Sequence, residues 1–246
     1  MKTLQDKSAL VTGASGGIGS AIARRLGASG ANIFLHYSTN KDAAESVQAA
    51  IIEQGGKATL LQADLREVDK IAQMFDQLQS MVSHLDIVVN NAGIATQKPI
   101  IEIEADEYNR VMNTNTRAYF FVLRYCAELM RAGGRVINIS SAIAYSNRPG
   151  SALYGASRAA IQHLTRVAAS EFGQKGITVN SVSPGPVSPG VFDQLPAPMQ
   201  DMARKVSPFN RVGTPEEIAE IVGFLATEQS RWVSGQDILA TGGGKP

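Results

Sequence analysis

The chain has 246 residues, a formal net charge of +1 and a hydrophobic fraction of 44%, which is enough for one α/β domain with a large core. One cysteine, Cys126, excludes an internal disulfide, and the three histidines have no metal-ligand spacing. Residues 1–7 are polar, no apolar run reaches membrane-spanning length, and no basic run indicates a nucleic-acid groove. We therefore expect a cytoplasmic protein with no metal, membrane or nucleic-acid partner.

Apolar runs alternate with longer stretches of helical periodicity along the chain. This alternation predicts an α/β fold, a doubly wound parallel sheet of about seven strands with helices on both faces. No repeat or linker divides the chain, so a single domain over residues 1–246 is expected. The predicted strands lie at 8–12, 32–37, 58–62, 86–89, 135–140, 177–182 and 237–240.

The first strand runs into a glycine-rich turn, Thr12-Gly13-Ala14-Ser15-Gly16-Gly17-Ile18-Gly19, before a helical stretch. Such a turn lets the backbone approach a pyrophosphate, and the N-terminus of the helix supplies free N–H groups. A tight turn that binds nothing is the alternative. We favour a nucleotide-binding turn of the Rossmann type. The expected contacts are Gly13, Ser15, Gly17, Ile18 and Gly19.

The end of the second strand bears on the choice of cofactor. Proteins that bind NAD(H) usually place an acid there, about 20 residues after the glycines, to hold the ribose 2′-hydroxyl. Here the sequence reads Tyr37-Ser38-Thr39-Asn40-Lys41, with no carboxylate to repel a 2′-phosphate. An ordinary polar turn that caps the next helix would have the same composition. We expect NADP(H) to be preferred, with NAD(H) as the alternative, and Tyr37, Ser38 and Thr39 to contact it.

Short polar segments follow the third and fourth strands as well. Asp64 and Leu65 come after the third, where an acid suits either a cofactor contact or a helix cap. Asn91-Ala92-Gly93 comes after the fourth, where small residues let the chain turn closely. Asn115 lies in the next helical stretch and, taken alone, is a structural residue. The apolar residues with core-like spacing in that stretch are Tyr108, Val111, Met112, Phe120 and Leu123.

The fifth strand leads into the segment that carries the chemistry. Ser141 lies at the C-terminal end of this strand, and a helix is expected just past Pro149-Gly150. Tyr154 and Arg158 are four residues apart and so share one face of that helix. A hydroxyl, a phenol and a fixed cation can thus converge on one cleft.

A proline-rich passage follows the sixth strand. Pro184-Gly185 forms a turn with Val187 just beyond it, and residues 186–210 are expected to form a mobile lid over the substrate. Thr214-Pro215-Glu216-Glu217 is a capping-box signature with proline at the first helical position. The apolar lid residues, which indicate either a partly apolar substrate or a packing face, are Val191, Phe192, Leu195, Met199 and Met202.

These motifs resemble, in order and spacing over essentially the whole chain, those of the short-chain dehydrogenases/reductases. The matches are Thr-Gly-x-x-x-Gly-x-Gly at 12–19, Asn-Asn-Ala-Gly at 90–93, Ser141 followed by Tyr154, and Pro-Gly at 184–185. The resemblance is nearest to 3-oxoacyl-carrier-protein reductases and related carbonyl reductases. It implies that Tyr154 supplies the proton, that Ser141 hydrogen-bonds the carbonyl oxygen, and that Asn115 belongs to a water-mediated proton path.

The resemblance also implies most of the cofactor contacts. It places Asp64 at the adenine amine and the turn after the sixth strand beside nicotinamide. A threonine that the family often has after this turn is absent, and Ser188 or backbone groups are expected to replace it. The cofactor contacts carried over in this way are Asp64, Leu65, Asn91, Ala92, Gly93, Tyr154, Arg158, Pro184, Gly185 and Val187.

Arg158 departs from the family, which has lysine at this position. The lysine lowers the pKa of a phenol that is otherwise near 10, holds the nicotinamide ribose and joins the proton path. Arginine keeps the charge and a fork of donors, but it cannot practically release a proton. We expect an NADP(H)-dependent carbonyl reductase or alcohol dehydrogenase with reduced or retuned catalysis. A non-catalytic nucleotide-binding member of the same fold is the alternative.

The helical stretches after Asn91 and around Tyr154 carry more apolar residues than one buried face needs. Family members commonly pair these helices across two-fold axes, so a homotetramer is expected. The residues concerned are Phe120, Phe121, Ile161 and Leu164.

Overall fold

The computed structural model describes residues 2–244, and these residues form one seven-stranded sheet in the order β3-β2-β1-β4-β5-β6-β7. All neighbouring strands are parallel, which confirms the predicted Rossmann-type α/β class. The order reverses between β1 and β4, and ligands of such sheets bind beyond the carboxyl ends of the strands at this point. The strands are β1 (Ser8–Val11), β2 (Asn32–Tyr37), β3 (Lys57–Gln62), β4 (Leu85–Asn90), β5 (Met130–Ile139), β6 (Thr178–Pro184) and β7 (Asp237–Ala240).

Helices cover both faces of the sheet because successive side chains of a strand point to opposite sides. Ala9 and Val11 of β1 pack into one buried cluster with α1, α2 and α8, whereas Leu10 packs into a second cluster with α3, α5 and α6. The helices are α1 (Gly17–Ala28), α2 (Lys41–Glu53), α3 (Val68–Met81), α4 (Ala105–Met112), α5 (Ala118–Leu129), α6 (Ala152–Phe172), α7 (Ala197–Arg204) and α8 (Pro215–Leu225).

The helical stretch after β4 differs from its prediction. A π-helical turn, Asn113–Arg117, separates α4 from α5 and changes which residues face the sheet. Phe120, which follows this turn, is 51% exposed, and Tyr108, which precedes it in α4, is 50% exposed, so their assignment to the core was wrong. Val111 and Leu123 are buried as predicted.

Two local predictions about element ends can also be compared with the structure. β5 begins five residues earlier than predicted because Met130 pairs with Leu85, ahead of an irregularity in the ladder. The capping box of α8 is confirmed: the Thr214 N–H donates to Glu217 Oε2 at 2.9 Å, and the Glu217 N–H donates to Thr214 Oγ1 at 3.3 Å.

Within residues 2–244, no helix is both long and apolar enough to cross a bilayer. The same residues contain no cluster of three or more histidine, cysteine or acidic side chains suited to a metal ion.

Candidate active site

The polar segments singled out in the sequence meet at one edge of the sheet. They follow the C-terminal ends of β1, β4, β5 and β6, and the carboxyl ends of parallel strands lie side by side. The structure therefore brings the glycine-rich turn, Asn91-Ala92-Gly93, Ser141 and Pro184-Gly185 to a common edge.

The glycine-rich turn is held from both sides. Asn91 Nδ2 donates to the carbonyl oxygens of Thr12 and Gly13, at 3.0 and 3.1 Å. On the other side, the Gly13 N–H donates to His36 Nδ1 at 3.1 Å and the Ala14 N–H donates to the His36 carbonyl at 2.9 Å. The position of this turn is thus set by two neighbouring strands.

The start of α1 suits a phosphate group. No side chain caps this helix, and its first turn has no acidic residue, so its N–H groups and dipole are available to an anion. A Cβ on Gly19 would lie 2.2 Å from the Gly13 carbonyl oxygen, which shows how tightly the turn folds onto the helix. A Cβ on Gly17 would lie 2.7 Å from the Pro189 carbonyl oxygen. The lid segment therefore reaches the turn, and the residues present fit a dinucleotide.

His36 is a site residue that the sequence reasoning missed. Its ring is buried in β2, and besides accepting from Gly13 it contacts the Ala63 carbonyl through Nε2 at 3.0 Å. Burial lowers the pKa of His36 to about 4 from an ordinary 6.5, although the Ala63 carbonyl and the charge of Asp64 act to raise it. The ring is therefore neutral and carries its proton on Nε2. Its position in a strand predicted to end beside the turn was the available signal.

We predict a loss of stability below neutral pH that depends on His36. The unfolded chain binds a proton near pH 6.5, whereas the folded chain binds it near 4. The contribution of His36 is therefore complete above about 6.5 and falls by about 3 kcal/mol as the pH drops to about 4. Urea unfolding of wild type and of His36→Asn across this pH range would measure the contribution of His36. Subtracting one profile of unfolding free energy from the other cancels the contribution of the carboxylates, which both proteins share. Parallel pH profiles would contradict the prediction.

The residues at the expected adenosine side are placed as follows. Tyr37 is buried, whereas Ser38 and Thr39 are exposed just beyond β2. Asn40 Oδ1 caps α2 by accepting from the Ala43 N–H at 3.1 Å. Lys41 pairs with Glu45 at 3.2 Å, so part of its charge is already balanced.

Asp64 does not cap a helix, so that alternative reading was wrong. Helix α3 begins at Val68 with Glu67 as its N-cap. Asp64 instead accepts two hydrogen bonds from Arg66 Nε and one from Arg66 Nη2, at 2.9, 3.1 and 2.5 Å. The Arg66 side chain, the largest influence, lowers the pKa of this carboxyl. Leu65 beside it is buried, and an adenine amine at Asp64 would share the carboxylate with Arg66.

Asn115 lies in the π-helical turn and is fully buried. Its Oδ1 accepts from the Ile94 N–H at 2.9 Å, and its Nδ2 donates to the Ile94 carbonyl at 2.8 Å and to Ser157 Oγ at 3.0 Å. The side chain thus ties the chain after β4 to helix α6, which carries Tyr154. Its part in a proton path stays a prediction.

Ser141 and Tyr154 occupy the positions expected from the sequence. Ser141 follows β5 at the start of a short 3-10 helix, Ala142–Tyr145, and its Oγ accepts from the Ile143 N–H at 3.3 Å. Tyr154 lies in the first turn of α6 and is half-buried. Ser140 Oγ donates to the Arg158 carbonyl at 3.0 Å, which joins the end of β5 to this helix.

Arg158 is buried, with 5% of its surface exposed. Its guanidinium carbon lies 5.3 Å from the centre of the Tyr154 ring and 5.7 Å from that of Tyr119. Nη1 donates to Tyr119 Oη at 3.1 Å and to the Ile139 carbonyl at 3.2 Å. Nε has no hydrogen-bond partner among the described residues, and such an orphaned donor fits a site that takes a polar ligand.

Arg158 stays protonated in this position. Burial works against the charged form, but Tyr154 and Tyr119 raise the pKa of Arg158, and the net shift is upward. Burial raises the pKa of the Tyr119 phenol in turn, in spite of the guanidinium. Tyr119 is therefore protonated and donates to the Ile139 carbonyl at 3.0 Å.

The segment after β6 completes this edge of the sheet. Pro184 ends β6, the Gly185 N–H donates to the Ala240 carbonyl at 3.0 Å, and Val187 forms a bridge with Gly213. The Ser188 hydroxyl donates to Asp193 Oδ1 at 2.7 Å, so its proton is engaged within the chain, and its replacement of the missing threonine stays a prediction. Of the apolar lid residues, Phe192 is buried and Met202 is exposed.

Several known proteins are similar to this chain over nearly its whole length. A family model described as Enoyl-(Acyl carrier protein) reductase matches residues 13–245. The hydroxynaphthalene reductase-like protein Arp2 of Metarhizium anisopliae is 38% identical over 256 residues, which cover 98% of this chain and 96% of that protein. A short-chain dehydrogenase/reductase from Serratia marcescens superposes with a TM-score of 0.95 at 35% identity, covering 99% of this chain and 100% of that one.

Two structures of one further enzyme contain ligands. The angucycline C-6 ketoreductase LanV with bound NADP has a TM-score of 0.93 and 36% identity, and covers 98% of this chain and 96% of its own. The landomycin C-6 ketoreductase LanV with NADP and rabelomycin has a TM-score of 0.90 and 36% identity, with coverage of 98% and 97%.

Proposed function

The chain belongs to the short-chain dehydrogenase/reductase family, and on that premise we propose that it is an NADP(H)-dependent carbonyl reductase or alcohol dehydrogenase with Tyr154 as general acid/base. One observation carries the proposal. A buried, permanently charged guanidinium lies 5.3 Å from the Tyr154 ring, at the sheet edge that also holds the glycine-rich turn. A cation beside a phenol favours the phenolate and so eases proton transfer.

Each residue has a distinct part in the proposed reaction. When bound, NADP(H) supplies or accepts the hydride. Tyr154 holds the proton that passes to the carbonyl oxygen, and Ser141 donates a hydrogen bond to that oxygen. Arg158 holds the nicotinamide ribose and stabilises the phenolate, while Asn115 keeps α6 in place through Ser157. The backbone N–H groups at Gly17, Ile18 and Gly19 bind the pyrophosphate.

The proposed substrate class is a ketone on a fused aromatic ring system. The names of similar enzymes support it, since Arp2 is called a hydroxynaphthalene reductase-like protein and LanV has been solved with rabelomycin. The exposed apolar side chain of Met202 in the lid supports it too, whereas the buried Phe192 packs the lid against the protein. A carrier-bound 3-oxoacyl group is the competing substrate, in line with the description of the family model.

A second candidate rests on the same arginine. A guanidinium cannot practically release a proton, so a relay that runs through ionisation of residue 158 is closed. A member of the family that binds the nucleotide without turnover would be consistent with this change.

The two candidates are separated by one assay. Purified protein is mixed with NADPH and each of three probes: a fused aromatic ketone such as a tetralone, an aliphatic ketone and a 3-oxoacyl thioester. The proposed function predicts NADPH oxidation that is fastest with the aromatic ketone. NADPH binding without oxidation of any probe would favour the second candidate, and absence of NADPH binding would contradict both.

The preference for NADP(H) is tested at Ser38, the first exposed residue after β2. Ser38→Asp should weaken NADPH binding by roughly 10-fold and leave NADH binding nearly unchanged. The new carboxylate repels the 2′-phosphate, which only NADPH carries, and solvent and salt screen this repulsion in part. Ser38→Asn, which adds similar bulk without charge, is the control. Fluorescence titration gives the dissociation constants. Tighter binding of NADH than of NADPH by wild type would overturn the preference.

We also propose a homotetramer that pairs helices α5 and α6. An apolar groove of about 400 Å³ lies between them, lined in part by Phe120, Phe121 and Leu164. Ile161 is buried inside the protomer, so its inclusion in this face was wrong. Sedimentation at micromolar concentration should give four times the 26.1 kDa protomer mass, and Phe120→Glu should lower it, since a charge cannot be buried there unpaired. A monomeric wild type would contradict the proposal.

A further inference from the structure

The hydroxyl of Tyr119 lies between Arg158 and the end of β5. It accepts a hydrogen bond from Arg158 Nη1 at 3.1 Å and donates one to the Ile139 carbonyl at 3.0 Å. Arg158 Nη1 also reaches the Ile139 carbonyl, at 3.2 Å. The three groups form a closed triangle in which each contacts the other two.

A guanidinium needs such a partner more than an ammonium does. It is planar, carries five N–H donors in fixed directions, and each buried donor without an acceptor costs free energy. Because the Tyr119 proton is given to Ile139, the oxygen lone pairs of Tyr119 are left for Nη1. The hydrogen bond therefore selects one orientation of the guanidinium plane.

The opposite side of the guanidinium is closed by backbone. A Cβ built on Gly93 would lie 1.9 Å from Arg158 Nη2 and 2.9 Å from Cζ, so only a glycine leaves room for this head group. Tyr154 and Tyr119 lie on the remaining sides, with ring centres 5.3 and 5.7 Å from Cζ. This close packing and the Tyr119 hydrogen bond together restrict the orientation of the guanidinium.

We propose that Tyr119 is a positioning residue that orients the Arg158 guanidinium toward Tyr154 and the nucleotide, so that Tyr119 and Arg158 act as a matched pair. The inference rests on the proposed function and deepens it. A lysine at position 158 would end one bond short of Nη1 and would not reach the Tyr119 hydroxyl in the same way. The contribution of Tyr119 should therefore depend on arginine being present.

The test is a double-mutant cycle of wild type, Tyr119→Phe, Arg158→Lys and the double variant. The measurements are the NADPH dissociation constant, kcat and KM with the best ketone, and thermal unfolding without nucleotide. Tyr119→Phe keeps the ring and its packing, so the fold should survive, and circular dichroism checks this. Tyr125→Phe is the matched control, because it removes a phenol from the same helix, where the ring stacks on Phe75.

Tyr119→Phe should lower kcat/KM and NADPH affinity by on the order of 10-fold, the scale of one hydrogen bond to a charged group. In the Arg158→Lys background the same change should cost less than about 2-fold. Tyr125→Phe should be near wild type in all measurements. Equal losses in both backgrounds would overturn the proposal, because they would mean that Tyr119 acts only through Ile139. No loss in either background would overturn it as well.

Failure of the proposed function would be recognised separately. If wild type binds NADPH but reduces no ketone, the double-mutant cycle is evaluated on the NADPH dissociation constants, and these show whether Tyr119 and Arg158 act as a pair. If wild type binds no NADPH, coupling between the two residues in thermal unfolding supports the pairing, and additive effects on unfolding contradict it.

Discussion

Tyr154→Phe should lower kcat by about 100- to 10,000-fold, the range that a positioned general acid contributes. The change removes only the hydroxyl that would give its proton to the substrate oxygen. The ring remains in the first turn of α6, 5.3 Å from the Arg158 guanidinium carbon. NADPH affinity should therefore change by less than about 2-fold. Steady-state kinetics beside NADPH titration measures both quantities.

Tyr125→Phe serves as the control for loss of a phenol, since Tyr125 stacks on Phe75 of α3. It should retain wild-type turnover and show that the assay responds to the site and not to any tyrosine. Turnover by Tyr154→Phe equal to that of wild type would refute the general-acid assignment.

Arg158→Ala should reduce both turnover and NADPH affinity. A unit charge 5.3 Å from the Tyr154 ring centre is worth about 3 kcal/mol to a phenolate at an effective dielectric of about 20, or on the order of 100-fold in rate. NADPH affinity should fall as well, because the donors proposed for the ribose hydroxyls are removed. Kinetics and direct NADPH titration of the variant test both parts. Wild-type rate and affinity in this variant would contradict the proposed role.

Arg158→Lys separates charge from shape. It keeps the cation and introduces an ammonium that can release a proton, so turnover should be held or raised although the hydrogen bond to Tyr119 is lost. Arg135→Lys is the matched control, because Arg135 is another buried arginine, bonded to the Gly133 and Gly134 carbonyls. If wild type reduces no ketone while Arg158→Lys gains activity, the non-catalytic reading is correct and Arg158 is its cause.

Much of the fold was predictable because its signals are local. The apolar runs and the turns that follow them predicted a parallel sheet of seven strands, and residues 2–244 form that sheet. The capping box at Thr214 was read correctly for the same reason, since its two hydrogen bonds join residues three positions apart. Helical periodicity failed at Phe120, because a π-helical turn precedes it and shifts the later side chains out of a regular 3.6-residue repeat.

The sequence by itself determined which chemical groups are present and which predicted strand or helix each of them lies on or follows. Ser141, Tyr154 and the change to Arg158 are all visible there. Only the tertiary structure decided what surrounds them. Tyr119 and Arg158 are 39 residues apart, and His36 and Gly13 are 23 apart, and each pair meets because packed helices or neighbouring strands hold it together. Side-chain hydrogen bonds of this kind depend on distances that spacing along one element does not encode. The cation was predictable, whereas the phenol that orients it was not.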